Sequence, residues 1–109
     1  MDLITERETK AKQLDKAILD LRQNGSAYAQ AEKDYKILLR LECLKLRDEG
    51  MAIGMIDKTC YGIPSVADAR YKRDIAQTTY EANKEAVLSL KLQLRLIDNQ
   101  IAREWGNNE

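Results

Sequence analysis

Apolar residues at helical spacing dominate the first third of the chain. Ala11, Leu14, Ile18 and Leu21 follow one another at intervals of three and four, the repeat of one helix face. Thr5-Glu6-Arg7-Glu8 has the form of a capping box, which predicts a helix start near Thr5. Asn24-Gly25 offers a stop and Ser26 a fresh cap. Yet Leu14, Leu21, Tyr28 and Tyr35 recur every seven residues straight across Gly25. The pattern predicts two nearly collinear helices, or one helix kinked or broken near Gly25, since an interior Gly costs only about 1 kcal/mol. Beyond it, Tyr28, Ala31, Tyr35, Leu38, Leu39 and Leu46 make one face, with Ile37, Leu41 and Leu44 expected to widen it. Gly50 ends this stretch. Gly54, Gly62 and Pro64 mark 51–64 as a tip, with a short helix around 52–58. Ser65-Val66-Ala67-Asp68 is a capping-box variant, and no breaker follows until Gly106. The expected fold is all-α: one helical domain over 1–109, a long antiparallel helical hairpin with arms at about 5–49 and 65–105.

The run from Leu88 to Leu96 alternates Leu with other residues, which is formally a strand pattern. Helix is the better reading, because Leu is not β-branched, no turn residue flanks the run, and helix formers lie on both sides. On a helix the alternation has a consequence. Leu90, Leu94, Ile97 and Ile101 form one stripe, while Leu88, Leu92 and Leu96 form a second on nearly the opposite side. One hairpin arm cannot cover both. The second stripe therefore predicts self-association into a helical bundle, as a dimer or higher homo-oligomer. The alternative is a bent first helix that folds back over it within one chain.

Composition narrows the chemistry. The 109 residues contain no His, which removes Ser-His-Asp and Cys-His mechanisms and His-containing zinc sites. Cys43 and Cys60 are too few for a thiolate metal site, and with no signal-peptide pattern they are expected as reduced thiols in a cytoplasm. No apolar run is long enough to span a membrane. The segment from Gly50 to Thr59 lacks the contiguous Gly-Lys-Ser/Thr of a phosphate-binding loop. Carboxylates are plentiful, but Glu81-Lys84-Glu85 and Lys12-Asp15-Lys16 read as exposed helical pairs rather than acid–base machinery. The chain is expected to be no enzyme, with no catalytic residue, no metal ligand and no cofactor.

Charge is balanced, with 18 bases and 18 acids, yet 70–95 holds six bases against three acids. Arg73, Lys84, Lys91 and Arg95 share one flank of the last helix, and Tyr71 lies between Arg70 and Lys72. Spaced cations with an aromatic neighbour can follow a phosphate backbone and stack a base. Arg70, Tyr71, Arg73, Lys84, Lys91 and Arg95 are therefore candidate contacts to single-stranded nucleic acid, the alternative being a solvated face. At the tip, Met51, Ile53, Met55, Ile56, Tyr61 and Ile63 are candidate contacts to a protein partner, because Met-rich surfaces adapt. The alternative is that they close the hairpin. Trp105 is expected to pack at the hairpin base.

Three stretches carry a resemblance: 46–51 (LRDEGM), 71–76 (YKRDIA) and 90–105 (LKLQLRLIDNQIAREW). They resemble small helical proteins from the early gene clusters of phages and prophages of Gram-positive bacteria, whose genes often lie near recombinases and single-strand-binding proteins. The likeness covers about 28–105 and lies in helix surface and core patterns. It implies a non-enzymatic, oligomeric accessory protein for DNA recombination or replication in a bacterial cytoplasm. Such a protein would bind a recombinase, a single-strand-binding protein or single-stranded DNA. A second expectation is an inhibitor that occludes a host defence or replication protein.

Overall fold

The computed structural model describes residues 2–107 and contains three helices: α1 (Leu3–Asp48), α2 (Ile53–Cys60) and α3 (Pro64–Asn107). The all-α hairpin topology expected from the sequence is the one observed, with the short tip helix displaced slightly toward the C-terminus.

The helix ends show which local signals prevailed. Asp2, not Thr5, caps α1: its side chain accepts the Thr5 amide at 2.7 Å, and its carbonyl accepts the Glu6 amide. The Thr5 backbone donor, followed by a smaller contribution from the Thr5 side chain, holds the Asp2 carboxyl below the usual range. Thr5 lies inside the first turn of α1, where it serves the Asp2 cap as donor instead of being the cap itself. At the other end Gly50 adopts φ 90°, and the Gly50 amide bonds Arg47 while the Met51 amide reaches back to Leu46. This is a Schellman stop, which needs the left-handed residue that Gly supplies. α3 opens on Pro64 at the first helical position, with the Ile63 carbonyl accepting from Ala67. Ser65 is therefore inside the helix, and the Ser-x-x-Asp cap is not formed.

α1 runs unbroken through Gly25. Of the two alternatives left open at Asn24-Gly25-Ser26, the single helix is the one observed. A Cβ on Gly25 would lie 3.2 Å from the Tyr80 ring, so glycine here admits an aromatic side chain from α3.

The chain forms two compact units. One joins α1 up to Gln23 with α3 from Glu81 onward; the other is 24–80. In the first, Arg7 meets Asp98 and Asn83 donates to the Ala17 carbonyl, so the helices run antiparallel. Val87 and Ile97 are buried there. In the second, Glu32 meets Arg73 while Tyr28 and Tyr80 approach at 6.0 Å between ring centroids, again antiparallel. α2 closes this unit: Ile56 and Cys60 are buried with Tyr35 and Val66, the last fully.

Candidate functional site

The two leucine stripes of α3 have separated as the wheel geometry requires. Within the unit that contains 81–107, Ile97 is buried and Leu90, Leu94 and Ile101 are half-buried. Leu88, Leu92 and Leu96 are 57%, 53% and 57% exposed. The first helix does not fold back over them, because it is one continuous helix already engaged with the opposite side of α3. Three large apolar side chains one turn apart thus share a solvent-facing row, an arrangement that marks an interaction surface.

α1 has an outward apolar row too. Ile37, Leu41 and Leu44 are exposed instead of widening the core face. At 100° per residue they lie opposite Tyr35 and Leu39, so they cannot widen the face that those two residues belong to. Next to Leu44 a groove of about 350 Å³ runs between α1 and α2, lined by Arg40, Cys43, Leu44, Arg47, Ile53, Ile56 and Asp57. The tip residues divide. Ile53, Met55 and Tyr61 are exposed, Met51 and Ile63 half-buried, and Ile56 buried. Closing the hairpin uses Ile56; presenting a surface is left to Ile53, Met55 and Tyr61.

The basic line is dispersed by what its members do. Arg73 is only 19% exposed in its side chain; it stacks over the Tyr35 ring at 4.7 Å and pairs with Glu32 and Asp74. Burial opposes the charge on Arg73, but Asp74 and Glu32 more than offset it and hold its pKa above the ordinary value. Lys84 is engaged within the chain. Arg70, Tyr71, Lys91 and Arg95 are exposed. Trp105, expected at the hairpin base, is 68% exposed, since one turn past Ile101 little of α1 remains to face it.

Neither Cys43 nor Cys60 is among the exposed residues. Cys60 is buried, its Sγ 3.8 Å from the Asp57 carbonyl. Burial first, then a hydrogen bond to Cys60 and the charges nearby, push the Cys43 thiol up. A raised thiol is less often a thiolate at neutral pH, hence less reactive. Among the described residues no cluster of acids and thiols could hold a metal ion, and no helix is long and apolar enough to cross a membrane. No family model, curated protein or solved structure matches the chain.

Proposed function

We propose that this chain is a non-enzymatic, self-associating accessory protein of DNA recombination or replication in phages of Gram-positive bacteria, acting by contact in the host cytoplasm. The observation that carries the self-association is the exposed row Leu88, Leu92 and Leu96. Burying a leucine contributes roughly 1.5–3 kcal/mol, and a pair of such rows offers enough to offset the freedom lost on association. The assignment to recombination or replication rests on the resemblance of 46–51, 71–76 and 90–105. Lys91 and Arg95, exposed four residues apart on one flank of α3 within 81–107, support a contact to single-stranded DNA beside the protein partner. Light scattering on the wild type and on Leu92→Glu tests the core of this reading. A wild type of multiple mass and a helical, smaller variant are expected. A monomeric wild type at tens of micromolar, or a variant that unfolds, defeats it.

A second reading has its own observation: Ile53, Met55 and Tyr61 expose apolar surface at the tip, beside the groove lined by Arg40 and Arg47. Such a tip suits occlusion of a host defence or replication protein. Met55→Asp should then abolish recovery of that protein in a pull-down from host lysate. Equal recovery with the variant removes the tip from the mechanism.

A further inference from the structure

On the outer face of α3 the leucines belong to a longer row. Glu81, Glu85, Leu88, Leu92, Leu96, Asn99 and Arg103 are all exposed. At 100° per residue they stay within one side of the helix, away from Val87 and Ile97. The spacings along the row are 4, 3, 4, 4, 3 and 4. The row is therefore a palindrome about Leu92. It is also polarised: acids occupy its N-terminal end and Arg103 its C-terminal end.

We infer that a second copy of this chain docks on this row with its α3 antiparallel, the two-fold axis passing beside Leu92. The inference rests on the reading of the chain as self-associating and adds the partner's orientation and register. An isologous contact must be complementary to itself, residue for residue. In the antiparallel register Leu92 meets its own mate and Leu88 meets Leu96 of the second copy. Glu85 meets Asn99, and Glu81, which like Lys84 also has a partner within its own chain, meets Arg103 from its exposed side, each twice. The parallel register keeps the leucines together but sets Glu81 on Glu81, Glu85 on Glu85 and Arg103 on Arg103. Like charges directly opposed disfavour it, so charge selects the antiparallel form. The selected form has a cost: like flanks meet in an antiparallel pair, which brings Lys91 and Arg95 of both copies along one edge of the seam. Exposed cations at that rim repel only weakly in water and salt. The leucine row and the two Glu81–Arg103 contacts outweigh them, and the edge gains a concentrated positive field.

The test is a charge swap read by sedimentation equilibrium on the full chain. Arg103→Glu sets acid against acid in the antiparallel register and should weaken the dimer about tenfold, two exposed pairs passing from attraction to repulsion. Adding Glu81→Arg to the same chain restores the complement and should recover most of that loss. Circular dichroism confirms that both variants stay helical. Disulfide trapping gives an independent reading: Leu88→Cys mixed with Leu96→Cys should cross-link as a heterodimer, whereas Leu88→Cys alone should not link to itself. A dimer that ignores the charge swap, or a self-linked Leu88→Cys, overturns the antiparallel register while leaving self-association standing. A wild type that never dimerises removes both.

Discussion

At Gly25 two demands on one residue oppose each other. A helix interior favours a side chain over Gly by about 1 kcal/mol. The Tyr80 ring, 3.2 Å from where a Cβ would stand, favours its absence. Gly54 in α2 has nothing within 4 Å of the same construction and an ordinary φ. The two glycines therefore predict different responses to one substitution. Gly54→Ala should raise stability by about 0.5–1 kcal/mol, through the reduced freedom of the unfolded chain. Gly25→Ala should return less than that, because the ring must shift by a few tenths of an ångström to admit the methyl. Urea denaturation midpoints of the two variants check the order, and equal gains would mean that Tyr80 yields freely. This contrast was invisible in the sequence. Asn24-Gly25-Ser26 offers a helix boundary while the seven-residue repeat of Leu14, Leu21, Tyr28 and Tyr35 runs across it, and what the sequence could not show is the aromatic ring from far along the chain that sits against Gly25.

Helices were legible where their signals were intrinsic. Gly50 ends α1 because the left-handed conformation suits that residue alone, and the periodicity of 65–105 gave α3 its extent. Faces were legible only in part. The stripe at Leu90, Leu94, Ile97 and Ile101 packs as the spacing demands, whereas Ile37, Leu41 and Leu44 turned out to face solvent. Apolarity alone does not tell which of two apolar sides meets the partner helix. Arg73 marks the same limit for charge. From the sequence it is one more cation on a basic flank, but in the fold it is held by the Tyr35 ring and by Glu32. Stacking of a guanidinium on an aromatic face is worth about 0.5–2 kcal/mol, more as water is excluded. Arg73→Met should accordingly destabilise the 24–80 unit by about 1 kcal/mol or more. Arg73→Lys should recover little, since an ammonium neither stacks nor forks as a guanidinium does. Chemical denaturation of both variants, with an oligonucleotide shift assay alongside, separates the roles. A variant of unchanged stability that loses oligonucleotide binding would return Arg73 to the nucleic-acid surface.

On the scale of the whole molecule, stability and assembly are one equilibrium if the leucine row is buried between copies. A partner that binds only the folded chain adds to its stability in proportion to the logarithm of its own concentration. For a dimer, a hundredfold rise in protein concentration adds about 2.7 kcal/mol per particle. A particle of roughly two hundred residues moves by about 2–4 °C for each kcal/mol, so Tm should climb by about 5 °C or more across that range. Leu92→Glu places a carboxylate at the centre of the row, where the partner would have to desolvate it. Its Tm should therefore be independent of concentration, while its helical signal before melting matches the wild type. Melting curves by circular dichroism over a hundredfold concentration range measure both slopes. A flat wild-type line would mean that each chain carries its whole stability alone. Leu88, Leu92 and Leu96 would then stay exposed in solution, and the contact they serve would have to be with a different molecule. A wild-type slope that persists undiminished in Leu92→Glu would instead move the interface to another surface, with the outward row Ile37, Leu41 and Leu44 of α1 as the first place to look.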